Sequence, residues 1–223
     1  MNRLATLITI LGVVLGILLF SSSHKSAKAA IALPDPAVDE KLSSQKGHAK
    51  IVLAGGCFWG LQAVFEHVKG VKQVTAGYSG GTLKNPSYEE VSSGQTGHAE
   101  SIEIEFDPSK ITVGMLLKVF FSVAHNPTEL NRQGPDTGTQ YRSAIFYENE
   151  EQQRIAQAYV DQLNAAKVFS GPIVTQILPF QAFYRAEQYH QDYAVQHPDN
   201  PYIARFDLPK IKNLQQEFPN LYH

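Results

Sequence analysis

Residues 50–60 read KIVLAGGCFWG, a short apolar run that is stopped by two glycines and followed by the only cysteine of the chain. The apolar run has the length and composition of a buried strand. The apolar residues after it recur at helical spacing, and they are Phe58, Leu61, Val64, Phe65 and Val68. This stretch therefore predicts a strand that runs directly into a helix, with Cys57 in the first turn of that helix.

The pattern of apolar residues predicts six further elements. They are strands at 71–78, 101–106, 142–147 and 173–178, and helices at 113–124 and 150–166. The first six elements in chain order are strand, helix, strand, strand, helix, strand. This order predicts an α+β fold, a ferredoxin-like split βαβ two-layer sandwich, to which a helix, a strand and a wrapping C-terminal tail over 202–223 are added.

Composition limits the classes of function. Hydrophobic residues make up 43% of the 223 residues, which is enough for one buried core. The formal net charge of −2 lacks the positive excess of nucleic-acid-binding proteins, so we expect no nucleic-acid partner. No Cys/His cluster has metal-ligand spacing and no phosphate-binding loop is present, so we expect neither a metal nor a bound cofactor.

The N-terminus has the pattern of an export signal. Arg3 precedes the uncharged run 4–20, and a polar segment then ends in Ala27-Lys28-Ala29. This order predicts a signal peptide over 1–29 that is cut after Ala29. An uncleaved membrane anchor formed by 4–20 is the alternative, because the run approaches the ~17–25 residues that span a bilayer. Both the signal peptide and the anchor predict export to the periplasm or an equivalent extracytoplasmic compartment. A third interpretation, a buried helix of the domain, is disfavoured because 4–20 is not amphipathic.

Residues 30–49 contain Pro34, Pro36, serines and mixed charges, which is the composition of a linker. We therefore expect a linker over 30–49 and one domain with its tail over 50–223. No internal repeat or low-complexity tract interrupts this domain. A monomer is the expected state.

Cys57 is chemically informative because a chain with one cysteine forms no intramolecular disulfide. An unpaired thiol in an oxidising compartment is either an inert buried side chain or a reactive one. At a helix N-terminus, free backbone N–H groups and the helix dipole favour the thiolate and lower the pKa from about 8.5. The position alone leaves both interpretations open.

The segment Gly56-Cys57-Phe58-Trp59-Gly60 resembles the signature of the A-type peptide methionine sulfoxide reductases. Further segments resemble that family in the same order, namely GYSGG at 77–81, NPSYEEV at 85–91, GHAE at 97–100, DTGTQYRS at 136–143 and AEQYHQ at 186–191. The resemblance covers about residues 50–195. It implies an enzyme that reduces methionine S-sulfoxide in oxidised proteins or peptides, and it leaves open whether free methionine sulfoxide is a second substrate.

Such a reaction needs a sulfur nucleophile, a proton source for the departing oxygen and an apolar enclosure for the substrate methyl group. The resemblance assigns the nucleophile to Cys57 and the acid to Glu100, whose pKa burial would raise. It assigns the enclosure to Phe58 and Trp59, which would also exclude water. Packing in the core is the alternative for the two aromatic residues.

The remaining assignments also follow from the resemblance. Tyr88 and Tyr141 would donate hydrogen bonds to the sulfoxide oxygen, and Asp136 would orient the substrate or a water molecule. Tyr189 and His190 would lie near the same site and contact the substrate. His98 could form a Cys–His dyad, but its motif indicates a structural role.

The implied reaction leaves Cys57 as a sulfenic acid, which must be reduced. Many relatives use further cysteines for this step, whereas this chain has Ser92 and Ser93 in one such region and no cysteine in its tail. We therefore expect an external thiol, supplied by a thioredoxin-like protein, a glutaredoxin or glutathione. A thiol peroxidase and a noncatalytic exported binding domain are the alternatives; the first needs no aromatic enclosure, and the second predicts disrupted catalytic positions.

Overall fold

A computed structural model describes residues 30–223 of the chain. The predicted signal peptide or anchor lies outside these described residues. Within 30–223, no helix has the length and apolar character needed to cross a membrane.

The described residues contain eight strands, which form one large sheet and a small hairpin. They are β1 (Ala49–Gly55), β2 (Val71–Ser79), β3 (Ala99–Phe106), β4 (Arg132–Gln133), β5 (Asp136–Thr137), β6 (Ser143–Tyr147), β7 (Gln176–Pro179) and β8 (Phe183–Arg185). The large sheet has the order β7-β6-β1-β3-β2-β8, and β4 pairs with β5. Its four central strands are β6, β1, β3 and β2, and each is antiparallel to its neighbours within this group. They reproduce the split βαβ arrangement, so the predicted fold class is confirmed.

Six α-helices accompany the strands between residues 30 and 223. They are α1 (Phe58–Glu66), α2 (Tyr88–Ser92), α3 (Val113–Val119), α4 (Glu150–Ala165), α5 (Tyr193–Gln196) and α6 (Leu208–Glu217). The helix predicted over 113–124 continues past α3 as a π-helical turn, Phe120–Ala124. A second π-helical turn, Ile203–Asp207, precedes α6. The short elements α2, α5, β4, β5 and β8 were not predicted, because they are too short to show an apolar period.

The strict alternation of β3 separates a core face from an outer face. Ile102 and Ile104 are fully buried beneath α1 and α3, and burial of each such side chain contributes roughly 1.5–3 kcal/mol. Glu103 and Glu105 point to the other face, where each accepts a salt bridge from Lys50 at 3.0 Å. Glu100 has the same parity as the two isoleucines, so the pleat of the strand turns it inward.

The C-terminal tail packs on the domain as predicted. Leu214 of α6 and Phe218, which follows the helix, are buried in the main core. The backbone N–H of Lys69 donates to the carbonyl of Leu221 at 2.6 Å, and Tyr222 forms a bridge with Val68. These contacts bring the tail back to α1.

The segment predicted as a linker is docked against the domain. Residues 30–48 contain no helix or strand, but Leu33 is buried in the core. Asp39 accepts a hydrogen bond from the N–H of Gly114 at 3.0 Å, and Glu40 accepts one from Val113 at 2.9 Å. The two carboxylates satisfy free N–H groups at the start of α3. Polar composition therefore reflected helix capping in this segment and not a free linker.

Candidate active site

A turn at Gly56 places Cys57 at the start of α1. Gly56 has a φ of +95°, and a Cβ at this residue would lie 2.5 Å from Cγ of Gln133. Only glycine satisfies both conditions. The turn makes Cys57 the N-cap residue of α1, with an exposed fraction of 8%.

The environment of Cys57 stabilises its protonated form. Burial raises the pKa of the thiol well above its usual value, and Glu100 and Asp207 raise it further. A hydrogen bond from the backbone N–H of Trp59 and the charge of Lys210 act in the opposite direction. The expected lowering of the pKa by the helix end is therefore present but outweighed by burial. The resting group is a thiol.

Glu100 lies beside the start of α1. Its Oε2 accepts a hydrogen bond from the backbone N–H of Phe58 at 3.1 Å, and the residue is 2% exposed. Burial raises its pKa to about 8, and the carboxylates of Asp136 and Asp207 also act to raise it. Glu100 is consequently protonated at neutral pH and is a proton donor next to the thiol.

His98 holds the loop that leads into β3. Its Nδ1 accepts a hydrogen bond from the N–H of Gly81 at 3.1 Å, so Nε2 carries the proton and donates to the carbonyl of Leu83 at 2.8 Å. Both ring nitrogens are thus occupied by backbone groups. This geometry favours the structural interpretation over a Cys–His dyad.

Tyr88 and Tyr141 reach the site from two segments that are far apart in the sequence. Tyr88 is the first residue of α2, where Ser87 and Glu90 form a capping box. Both tyrosines are half-buried, and burial followed by the charge of Glu100 raises the pKa of each. They are therefore neutral hydroxyl donors near Glu100.

Asp136 is joined to the tail. It lies in β5, and its carboxylate accepts a hydrogen bond from the hydroxyl of Tyr202. Burial raises the pKa of Asp136. Tyr202 was not among the predicted site residues, and nothing in its local sequence distinguishes it from the other tyrosines.

Trp59 forms a half-buried aromatic wall. Its indole stacks on Tyr193 with ring centroids 4.0 Å apart and meets the edge of Tyr202 at 6.2 Å. Its Nε1 donates to Nδ1 of His190 at 3.2 Å. The tail and the segment after β8 thus fix the orientation of the indole.

The other predicted aromatic residues surround His190. Phe58 is fully buried with its ring 5.1 Å from that of His190, so it forms the base of the site. His190 is 2% exposed, and its Nε2 has no hydrogen-bond partner in the described part of the chain. Tyr189 is 62% exposed and lies at the rim, with its ring 4.2 Å from His190.

The tail contains a charged pair that was not predicted from the sequence. Asp207 is fully buried, and its Oδ1 accepts a salt bridge from Lys210 at 3.1 Å. Asp207 is the N-cap residue of α6 and Pro209 lies in its first turn, a pattern that is common at the start of a helix and does not indicate an active-site contact. Within residues 30–223, no group of His, Cys, Asp and Glu side chains has the arrangement of a metal site.

The chain matches known proteins over most of its length. The family model for peptide methionine sulfoxide reductase matches residues 49–221. Peptide methionine sulfoxide reductase MsrA 2 of Mesorhizobium japonicum is 57% identical over 185 residues, covering 83% of this chain and 94% of that protein. The corresponding MsrA 2 of Synechocystis sp. is 52% identical over 188 residues, covering 83% and 88%.

Two solved structures have the same architecture. Methionine sulfoxide reductase A of Corynebacterium diphtheriae superposes with a TM-score of 0.60 at 34% identity, covering 81% of this chain and 91% of that chain. Reduced Mxr1 from Saccharomyces cerevisiae gives a TM-score of 0.61 at 32% identity, covering 72% and 91%.

Proposed function

The chain belongs to the peptide methionine sulfoxide reductase family, and from this membership we propose how its own residues perform the reaction. It is a thiol-dependent oxidoreductase that reduces methionine sulfoxide. The observation that carries the assignment of roles is the adjacent placement of the Cys57 thiol and a carboxyl group, Glu100, that is protonated at neutral pH.

The chemical step transfers one oxygen atom and two electrons. The sulfur of Cys57 attacks the sulfoxide sulfur and forms a transient S–S bond while Glu100 gives its proton to the sulfoxide oxygen. The hydroxyl group then moves to the sulfur of Cys57 as the S–O and S–S bonds of the substrate sulfur break, so methionine leaves with the electron pair and Cys57 becomes a sulfenic acid. The proton lost by the thiol on ionisation restores Glu100. Protonation of the oxygen makes the substrate sulfur more electrophilic, which compensates for the small thiolate fraction of a buried cysteine.

Tyr88 and Tyr141 are proposed to donate hydrogen bonds to the sulfoxide oxygen. Burial and the nearby Glu100 raise the pKa of both hydroxyls, so neither competes as an ionised base. Neutral donors placed before the reaction stabilise the negative charge that develops on oxygen. Asp136, held by Tyr202, is proposed to orient the substrate.

The substrate methyl group is proposed to lie against Trp59, above Phe58. The indole is fixed by stacking and by its hydrogen bond to His190. Because Nδ1 of His190 accepts that bond, Nε2 carries a proton and has no partner in the described residues. We propose that the exposed ring of Tyr189 contacts the peptide around the oxidised methionine, and that the buried His190 acts on the substrate through the indole that it orients.

The sulfenic acid is proposed to be reduced by an external thiol, because the chain contains one cysteine. A first thiol condenses with the sulfenic acid and releases water, and a second thiol opens the mixed disulfide and restores Cys57. A thioredoxin-like protein, a glutaredoxin or glutathione supplies these thiols.

Reduction of a peptide that contains one methionine sulfoxide epimer tests the chemistry. With dithiothreitol, we expect the chain to consume the S epimer and leave the R epimer, and Cys57→Ser to consume neither. Mass spectrometry after one turnover without reductant should find one added oxygen on Cys57. Released methionine with unmodified Cys57 would refute the mechanism, and oxidation by hydrogen peroxide without sulfoxide turnover would favour a peroxidase.

We also propose that the chain is exported and monomeric. The support for export is the pattern of charge and hydrophobicity over 1–29. N-terminal sequencing of the protein from fractionated cells should give Ala30 if a signal peptide is removed, whereas an intact chain in the membrane fraction would indicate an anchor. An intact chain in the cytosol would refute export, and light scattering would test the monomer.

A further inference from the structure

The C-terminal tail contributes a buried ion pair that the mechanism above does not use. Asp207 is fully buried, and only 15% of the side chain of Lys210 is exposed. Oδ2 of Asp207 has no hydrogen-bond partner within the described residues. Burying two charges carries a desolvation cost that one salt bridge offsets only in part. A pair in this position calls for a role beyond holding the tail in place.

The pair lies directly over the first turn of α1. A Cβ built on Gly60 would lie 2.1 Å from Oδ1 of Asp207 and 2.7 Å from Nζ of Lys210. The φ of Gly60 is not in the left-handed region, so a glycine is required there only because a side chain would collide with the ion pair. Gly60 is the third residue of α1 and Cys57 is its N-cap. The ion pair therefore lies against the same turn that carries the thiol.

The groups around Cys57 are mostly acids or neutral hydroxyls. Glu100 comes from β3, Asp136 from β5 and Asp207 from the tail, and the hydroxyls belong to Tyr88, Tyr141 and Tyr202. Within residues 30–223, Lys210 is the positive group that acts on this cluster. Its charge opposes the rise that burial causes in the pKa of both Cys57 and Asp136, and it also acts on the neutral, buried His125.

A thiolate that forms here adds negative charge to a site that already contains carboxylates. Charges at this depth are poorly screened by water, so a nearby ammonium group has a large effect on the equilibrium between thiol and thiolate. Asp207 keeps Lys210 over the first turn of α1, at an N–O distance of 3.1 Å.

We propose that Lys210 is a positioning residue of the reaction, whose ammonium group, held by Asp207, provides the countercharge for the Cys57 thiolate. The tail thus supplies part of the electrostatics of the active site without supplying a cysteine. This inference rests on the proposed role of Cys57 as the nucleophile.

The rate at which iodoacetamide alkylates Cys57, measured by mass spectrometry across pH, reports the thiolate without any sulfoxide. In the full chain, Lys210→Met should raise the apparent pKa of Cys57 by about one unit, which lowers the alkylation rate at neutral pH about tenfold. Lys210→Arg keeps the charge and should stay close to wild type. Lys212→Met removes an exposed lysine of the same helix and is the matched control.

A second pair of variants removes the ambiguity that arises if Lys210→Met leaves Asp207 uncompensated and unfolds the tail. Asp207→Asn and the double variant Asp207→Asn/Lys210→Met both lack the buried carboxylate, and they differ only in the ammonium group. The double variant should have the higher apparent pKa, again by about one unit. Circular dichroism establishes that both are folded.

An equal apparent pKa within a folded pair would overturn the proposal, and so would an equal shift in Lys212→Met. Failure of the proposed function has a different signature, because Cys57 would then be alkylated normally while methionine sulfoxide stays unreduced. The two results are measured on the same protein samples with separate reagents.

Discussion

A carboxyl group whose pKa burial raises to about 8 lies at each end of α1, Glu100 of β3 at the N-terminal end and Glu66 of the helix itself at the C-terminal end. At the N-terminal end, Glu100 accepts a backbone N–H and lies beside a thiol. At the C-terminal end, Glu66 shares a hydrogen bond with Asp192, which Gln62 also binds at 3.0 Å. The same pKa thus occurs at one end with a nucleophile and at the other with a second carboxylate. A raised pKa marks a reactive site only where a reacting partner is adjacent.

One short segment joins the two ends. His190 accepts a hydrogen bond from Trp59 near the thiol, and Asp192 contacts Gln62 one turn along α1. Asp192 has a φ of +56°, which lets the chain turn between these contacts. The contact between Asp192 and Gln62 therefore positions the segment that places His190 against Trp59 at the N-terminal end of α1.

The largest effect is expected for Cys57→Ser. A serine hydroxyl is not ionised at this position and is a far weaker nucleophile than a thiolate, so reduction of methionine sulfoxide should be undetectable. The assay is loss of the S-sulfoxide peptide with dithiothreitol. Residual turnover in the purified variant would show that another group carries the reaction.

Glu100→Gln and Glu66→Gln compare the two ends directly. Glu100→Gln keeps the shape but lacks the transferable proton, so kcat/KM should fall by about 10²–10⁴. Glu66→Gln changes the same group where no substrate binds and should stay within about twofold of wild type. Equal losses in both variants would mean that Glu100 acts by holding the fold.

The pH dependence of activity should follow Glu100. Its pKa is about 8, so the acid form is lost above that value, whereas the thiolate fraction of Cys57 keeps increasing because the pKa of that thiol is raised well above its usual value. The product of the two forms makes kcat/KM rise with pH up to about 8 and level off above it. The levelling should be present in Glu66→Gln and absent in Glu100→Gln, whose remaining activity should keep rising. Levelling that persists unchanged in Glu100→Gln would assign it to a different group.

The pH dependence of the free energy of unfolding should reflect the carboxyl groups of both Glu100 and Glu66. The pKa of each is higher in the folded chain than the ~4.3 expected in the unfolded chain. The folded state therefore binds more protons, and the free energy of unfolding should fall as the pH rises from about 4.5 to about 8. Urea unfolding at several pH values should give a shallower decline in Glu100→Gln and in Glu66→Gln than in the wild type.

The smallest effect is expected for Trp59→Phe. It removes the indole N–H that binds His190 but keeps an aromatic ring, and one such hydrogen bond contributes about 0.5–1.5 kcal/mol. A rise in KM of a few fold with little change in kcat should result. Tyr193→Leu, which removes the stacking partner of the indole, should act in the same direction, and a wild-type KM in both variants would place the substrate elsewhere.

Much of the fold was predictable because its core elements carry clear periods. Alternation in β3 and helical spacing in α1 and α4 follow directly from burial on one side, and the four central strands with these helices were predicted at nearly their observed bounds. Residues 30–48 were misinterpreted, because the acids that cap α3 from a distance look like those of a linker. Short elements such as α2 and β5 depend on contacts with distant residues and have no period of their own.

The sequence by itself showed Cys57 as an unpaired thiol at the start of a helix, and the resemblance of short segments to one family pointed to Glu100 and Asp136 as its partners. Tertiary structure alone decided the protonation of these groups, because burial and distant charges outweigh the local helix end at Cys57. It also brought Tyr202, Asp207 and Lys210 onto α1. Electrostatic free energy depends on distance through the folded molecule, and spacing along the chain does not contain that distance.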